Sequence, residues 1–430
     1  MCMIIHVVQR GDSVFSISRR YGVPVQRIID DNQLENPGLI MIGQALVIRT
    51  ENIRHTVTPG QSLYRISRLY GVSVESILDA NPNIDNPAQI RPGQIIIIPV
   101  GQQKLGTIEV NGYAFTNINT TTLNNTLPYL TYLSIFSHEV RPDGSLAPIN
   151  DTPLISAARG QSVGPLLVIT NIAEGESFDS DLARTILTDM TVQDNLVQNV
   201  INELSTGYYG LDIDFEYIYP ENRQDYNNFL RRMTETLHPL GYTVSTALAP
   251  KISGDQPGLL YEAHDYEFHG QYVDHIILMT YEWGYTYSAP MAVAPIDQVR
   301  RVLDYAVTVI PPEKILMGMP NYGYDWTLPY VEGTAARSLS NVAAANLAMN
   351  TGSEIKFDPV AMAPFFNYTD SQGRRHEVWF DDARSIQARL RLVDEYGLGG
   401  VSYWTINSFN AANWIVLSSM YDVEKVTFNQ

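Results

Sequence analysis

The sequence predicts an α/β chain whose bulk, residues 105–430, is a (β/α)8 TIM barrel with a small α+β insertion at about 334–380, preceded by two small βααβ units at 4–49 and 54–99. Three observations predict it. The first hundred residues repeat themselves, His6 answering His55 at an offset of 49. Beyond them, eight apolar strand-like runs alternate with helix-like stretches, the pattern of a closed parallel barrel. The charge also shifts: residues 1–100 hold nine Arg, no Lys and eight acids, a net of +1, so the remainder of a chain with net charge −18 carries −19.

Each repeat justifies its elements in order. HVVQ and HTVT alternate like short strands. Gly11-Asp12-Ser13 and Gly60-Gln61-Ser62 turn the chain, and Ser13 and Ser62 stand where a helix N-cap is wanted. Val14, Ile17 and Ser18 share one helical face, as do Leu63, Ile66 and Ser67. Tyr21-Gly22-Val23 and Tyr70-Gly71-Val72 end that helix on glycine. A second helix begins with Val25, Ile28 and Ile29 and ends at Asn32, with Asn81 as its counterpart; ALVIRT and IIIIPV close as strands. The polar GQQK between Val100 and Leu105 reads as a linker.

Both units resemble LysM domains, in the GD/QS turn, the YGV stop, the Asn at the second helix end, and the Gly43-Gln44 and Gly93-Gln94 pairs before the last strand. The resemblance implies binding of N-acetylglucosamine-containing glycans, peptidoglycan or chitin, in a shallow groove between two loops. These are Gly11–Phe15 with Pro37–Ile42, and Gly60–Tyr64 with Pro87–Pro92. The implied contacts are Gly11, Asp12, Ser13 and Ile40, and Gly60, Gln61, Ser62 and Ile90. The alternative, that a repeat docks to the other domain or to a partner protein, stays open.

The barrel strands are read as TIEVNGYAF, YLTYLSIF, PLLVIT, GLDIDFEY, TVSTALAP, HIILMTYEW, ILMGMPNYG and GVSYWTI. Chemistry in such barrels sits where strands end. In the fourth run, alternation puts Asp212, Asp214 and Glu216 on one face and Leu211, Ile213, Phe215 and Tyr217 on the other, towards the helices. Three inward acids are costly unless they accept hydrogen bonds or shift their pKa. Two chemistries use such a trio: a carboxylate metal site, for which no nearby His speaks, and glycoside hydrolysis, which needs one protonated carboxyl beside stabilising charge.

This run resembles the DxxDxDxE motif of glycoside hydrolase family 18, with Tyr209 in place of the first acid. The resemblance implies Glu216 as acid and then base, Asp214 orienting the substrate acetamide, and Asp212 positioning Asp214. It implies that the substrate's own N-acetyl carbonyl attacks the anomeric carbon, with retention and without a metal or organic cofactor. Met279-Thr280-Tyr281-Glu282 resembles the family's MxYD, Glu replacing Asp. Tyr281 would donate to the acetamide oxygen and Trp404 would floor the sugar site. Glu282, Trp283, Asn321 and Tyr322 would line the cleft, with Tyr285, Tyr287 and Trp326 nearby. The whole layout resembles the cortex-lytic glycosidases of bacterial spores, N-acetylglucosaminidases acting on cortex peptidoglycan or its fragments. A chitinase and a catalytically silent glycan-binding protein are the other readings.

Composition narrows the partners. With 46 acids against 28 bases the chain is a poor coat for nucleic acid or anionic membrane. One cysteine, Cys2, allows neither an intramolecular disulfide nor a multi-thiolate zinc site. No run approaches the roughly 18–20 apolar residues that span a bilayer. MCMIIHVVQRGDS lacks the features of a secretory signal. The expectation is therefore a chain made without a signal peptide in the mother cell and laid down in the cortex and coat region of the spore.

Overall fold

The computed structural model describes residues 2–50, 52–99, 104–173 and 177–428; of the expected linker GQQK, residues 101–103 lie outside them. The first repeat runs β1 (Cys2–Val7), α1 (Val14–Tyr21), α2 (Val25–Asp31), β2 (Ala45–Thr50), with β1 and β2 antiparallel. The second runs β3 (Asn52–Thr56), α3 (Leu63–Tyr70), α4 (Val74–Asp79), β4 (Ile95–Pro99), paired the same way. The repeated residues explain themselves. Ser13 and Ser62 cap α1 and α3, and Gly22 and Gly71 end them at φ 69° and 66°, where a β-carbon is strained. Asn32 donates to the Ile28 and Val47 carbonyls and accepts from the Val47 amide, tying the second helix to the last strand. Asn81 does the same with Ile77 and Ile97.

The barrel is formed by β5 (Gly106–Phe115), β6 (Tyr132–Glu139), β7 (Gly164–Thr170), β8 (Gly210–Asp214), β9 (Thr243–Leu248), β10 (His275–Leu278), β11 (Ile315–Pro320) and, after an insertion, β17 (Gly400–Trp404). Neighbours are parallel, and β17 pairs with β5 to close the cylinder. All eight expected runs supply a barrel strand. The insertion comprises β12 (Tyr322–Leu328), β13 (Arg337–Ser340), the helix Asn341–Thr351, β14 (Lys356–Asp358), β15 (Ala363–Thr369) and β16 (Arg375–Trp379), its strands in the antiparallel order β13-β12-β16-β15-β14. Its sheet starts at Tyr322, ahead of the expected 334, because the run read as one strand ends at Pro320 and resumes in a different sheet. No helix among the described residues is long and apolar enough to cross a membrane.

The two repeats sit differently. The first unit is docked on the barrel. Met3 and Val47 belong to the barrel's apolar core, and Met349 of the insertion joins the first unit's own core. The Ala411 amide donates to Gln33 Oε1 at 2.7 Å, Arg384 to the Gly43 carbonyl at 3.0 Å, and the Ile355 amide to the Ile42 carbonyl at 3.0 Å. For this unit, docking to the other domain is what the structure shows. The second unit's apolar cluster consists of its own residues, from Val57 to Ile98.

Gly43 and Gly93 occupy matched positions at φ 84° and 86°, yet a β-carbon on Gly43 meets the Ile355 carbonyl oxygen at 1.8 Å whereas one on Gly93 meets nothing within 4 Å. All five tryptophans lie in residues 105–430, so their fluorescence reports the barrel. Gly43→Ala is expected to destabilise the tryptophan-reported urea transition by about 2–4 kcal/mol, and Gly93→Ala to leave it within about 0.5 kcal/mol. Equal shifts would mean that the first unit does not support the barrel.

Candidate active site

The site is built on β8. Leu211, Ile213 and Phe215 are fully buried, and Phe215 stacks on Phe229 (5.8 Å between ring centres) in the helix Arg223–Leu237. That pins the outer face and turns the acids inward. Asp212 is fully buried and accepts from Tyr113 Oη at 2.6 Å, Ser245 Oγ at 2.7 Å and Ser134 Oγ at 3.5 Å. Burial raises its pKa, and these donors oppose the shift. Asp214, one step nearer the mouth, has a buried Oδ1 without a hydrogen-bond partner. Burial, then the charges of Glu216 and Asp212, push its carboxyl well above the usual range.

Glu216 stands just past the strand end. Burial, then the charge of Glu282, raise its pKa to about 7. Asp214 and Glu216 therefore titrate as a pair. Two residues that sequence reasoning passed over fix the Glu216 backbone. Asn171, at the tail of β7, accepts from the Glu216 amide and donates to its carbonyl, both at 2.9 Å. His264 takes the Ala249 amide on Nδ1 and so donates from Nε2 to the Phe215 carbonyl at 3.0 Å. Burial lowers its pKa to about 4, which keeps the ring neutral. The only hint in the sequence was a polar residue at the end of an apolar strand.

Tyr217 departs from the expected alternation. The strand ends at Asp214, Tyr217 takes φ 54°, and its ring lies 41% exposed on the cleft wall instead of against the helices. Tyr209, where the first acid of the motif was missing, lies below β8; its amide donates to the Pro165 carbonyl and its ring packs on Tyr132 and Phe428. The missing acid therefore leaves the mouth of the barrel untouched.

The mouth holds a cleft of about 650 Å³ lined by Asp214, Glu216, Tyr217, Tyr281, Glu282, Trp283 and Trp404 among others. Tyr281 is buried beside Gly318, where a β-carbon would come within 2.8 Å of its ring. Burial and the acids Asp214, Glu216 and Glu282 hold the Tyr281 hydroxyl protonated, a donor. Trp404 ends β17 and meets Phe136 and Tyr113 edge-on at 4.9 and 5.3 Å, forming an aromatic floor. Glu282, at φ 67°, accepts from the hydroxyls of Tyr322 and Tyr324.

A second cavity of about 490 Å³ adjoins the first, sharing Glu282 and Trp404 and lined also by Asn321 and Tyr322. Asn321 spends its amide on the Thr405 and Ser408 carbonyls, so it holds the loop after β17. Of the nearby aromatics, Tyr285 lines the cleft, whereas Trp326 is a core residue, 1% exposed, donating to the Ser288 carbonyl.

In the first repeat, Asp12 is committed to His6, Arg20 and the Gln9 amide, and in the second Gln61 holds His55 and the Thr58 amide. Ser13 and Ser62 serve as caps, Gly11 and Gly60 supply φ of 90° and 83°, and Ile40 and Ile90 pack against the small cores. These residues shape the loops. Phe15 and Tyr64 face solvent at matched positions, 62% and 67% exposed, and Leu39 and Ile42 are exposed on the first unit's other loop.

Among the described residues, Asp212, Asp214 and Glu216 do not bring their oxygens within 4.8 Å of one another as a ligand group; His138, Asp151 and Glu203 do. There the pair His138–Asp151, at 3.3 Å, is completed by the Tyr208 hydroxyl donating to Asp151 at 2.5 Å.

Comparison with known proteins agrees with this geometry. Residues 113–408 match the family of glycosyl hydrolases family 18, and 6–49 and 55–99 each match the LysM domain. The chain is similar to the cortical fragment-lytic enzyme of Bacillus subtilis (strain 168), 43% identical over 99% of this chain and 100% of that one. It superposes on the crystal structure of the spore cortex-lytic enzyme SleL of Bacillus megaterium QM B1551 with a TM-score of 0.91 at 39% identity, covering 98% and 99% of the two chains. For the Bacillus cereus spore cortex-lytic enzyme SleL the values are 0.86 and 40%, covering 100% of both.

The raised Glu216 pKa has a consequence for stability. The folded state binds this proton more tightly than the unfolded chain, so the contribution is present below about pH 4.5 and is lost as pH rises through about 7. Relative to Glu216→Gln, the native protein is expected to lose on the order of 1–3 kcal/mol between pH 4.5 and 8. Urea melts of both proteins across that range check it; parallel pH profiles would contradict it.

Proposed function

Because this chain belongs to glycosyl hydrolase family 18 and carries two LysM domains ahead of its barrel, we propose that it is a cortex-lytic glycosidase: a retaining, substrate-assisted N-acetylglucosaminidase that hydrolyses spore cortex peptidoglycan or its fragments during germination. The observation that carries the reading is the inward ladder Asp212–Asp214–Glu216 under the Trp404 floor, with a proton held on its outermost member near pH 7.

In this reading Glu216 gives its proton to the glycosidic oxygen as the bond to the anomeric carbon breaks. The substrate's acetamide oxygen forms the new bond to that carbon, and an oxazolinium results. Asp214, whose Oδ1 has no protein partner, takes the acetamide N–H and faces the developing positive charge. The Tyr281 hydroxyl orients the acetamide from the other side. Water then adds to the anomeric carbon, giving its proton to Glu216, and the acetamide is released. Asp212 touches no substrate; its donors fix its position beneath Asp214.

The LysM domains hold the barrel on the glycan, raising its local concentration. Phe15 and Tyr64 present the stacking faces. Synthesis in the mother cell delivers the protein to the cortex and coat region of the spore.

Glu216→Gln is expected to lower kcat on cortex fragments about 100- to 10,000-fold. Mass spectrometry of the native digest is expected to show N-acetylglucosamine at the new reducing ends; N-acetylmuramic acid there would refute the bond assignment. A matched glucoside lacking the 2-acetamido group is expected to stay intact, and its efficient cleavage would refute the substrate-assisted step. Above pH 7 activity is expected to fall as Glu216 loses its proton, and Glu282→Gln to move that limb to lower pH by removing a neighbouring negative charge.

A further inference from the structure

Away from the catalytic acids, His138 near the end of β6, Asp151 at the start of the helix Thr152–Arg159 and Glu203 near the end of the helix Met190–Leu204 each bring a ligand atom within 4.8 Å of the other two. His138 is 2% exposed and Asp151 is buried, whereas Glu203 is half-buried and leaves an approach from solvent. The tautomer of His138 follows from its neighbours. Nδ1 faces the Ala147 carbonyl at 2.9 Å, and a carbonyl only accepts, so Nδ1 carries the hydrogen. In the neutral ring Nε2 then presents a lone pair, and Asp151 Oδ2 stands 3.3 Å from it. The Tyr208 hydroxyl has one hydrogen and gives it to Asp151 at 2.5 Å, not to Nε2 at 3.4 Å. A buried imidazole nitrogen and a carboxylate oxygen thus face each other, both as acceptors. The distance is informative as well. A proton on Nε2 would make a charge-assisted bond of about 2.7–2.9 Å. Two ligands bound about 2.0–2.1 Å from a tetrahedral ion stand about 3.3–3.4 Å apart. Asp151 is the N-cap residue of its helix yet makes no capping bond, its carboxylate being turned to His138. Among the described residues, no Lys or Arg pairs with Asp151 or Glu203, so a cation of charge two would balance them.

We propose that His138 Nε2, Asp151 Oδ2 and a Glu203 carboxylate oxygen form a binding site for one divalent transition cation of the zinc class, with water as the fourth ligand. The imidazole selects against Mg2+ and Ca2+, which take oxygen donors. The surroundings are those of a ligating pair: the ring is anchored through Nδ1–H on a backbone carbonyl, and the carboxylate is oriented by the Tyr208 hydroxyl. The role is structural. The ion ties the tail of β6 to two helices, and the same tail carries Phe136, the edge-on partner of Trp404 in the aromatic floor. It takes no part in the hydrolytic steps.

The experiment uses the full chain without a histidine tag, stripped with a chelator and dialysed against Zn2+ at neutral pH. One tightly held Zn2+ per chain is expected, retained in the presence of excess Mg2+. Glu203→Gln removes one ligand from a half-buried position and leaves the His138–Asp151–Tyr208 contacts in place; it is expected to weaken Zn2+ binding about 100-fold or more. In crystals soaked with Zn2+, the anomalous signal is expected about 2.0–2.1 Å from His138 Nε2 and Asp151 Oδ2. An anomalous signal elsewhere, or affinity unchanged by Glu203→Gln, would mean an adventitious ion only and overturn the site. Failure to bind Zn2+ would overturn it as well, and nitrogen NMR showing a hydrogen on Nε2 would then assign the contact to an imidazolium–carboxylate pair. Either result leaves the hydrolase reading standing.

Discussion

The structure depends on one buried carboxylate. Asp212 sits in the barrel's interior with no solvent contact, and it is tolerable there only because three strands turn donors towards it: Tyr113 from β5, Ser134 from β6 and Ser245 from β9. Ser134 also bonds Asn111, and Asn111 bonds Ser402 on β17, so the layer continues to the strand that closes the cylinder. A polar layer of this kind ties the barrel's register to the chemistry above it. A strand shifted by one residue would break the network and turn Asp214 into the helices.

From that anchor the three acids form a gradient. Asp212 is satisfied by neutral donors and is a structural charge. Asp214 has an unpartnered oxygen and faces a like charge on each side, which leaves a lone pair for a ligand. Glu216 lies past the strand, at the cleft wall. The order along the chain is thus an order of burial. Burial and the charge of Glu282 raise the pKa of the outermost member, Glu216, at the cleft wall.

The features that were legible in the sequence were those with a short period. Acids alternating with apolar residues gave the inward ladder, and a 49-residue repeat gave the paired small units. The features missed are contacts between distant segments. Asn171 and His264 lie 45 and 49 residues from the backbone groups that they hold, and nothing local to either residue names its partner. Tyr217 was misplaced because alternation was carried past the strand's end, where a left-handed residue reverses the pattern. Asp12 was read as facing a ligand, whereas it is buried against His6, because a polar residue in a turn looks the same in sequence whether it binds outward or inward.

The same limit applies to the first LysM unit. Its strand residues Met3 and Val47 are covered by the barrel. Hydrophobic pattern shows that a face must be buried and is silent on what buries it. The consequence reaches the glycan site. The loop Pro37–Ile42, one wall of the expected groove, ends at a carbonyl bonded to Ile355 of the insertion, and the next residue, Gly43, is pressed against the same backbone. The insertion that supplies β12 and β13 to the second cavity is therefore also the platform that orients this LysM groove. In the proposed reading, a glycan bound there is held on a unit docked against the barrel that cleaves it, whereas the second unit, whose core is its own, adds avidity without setting that geometry.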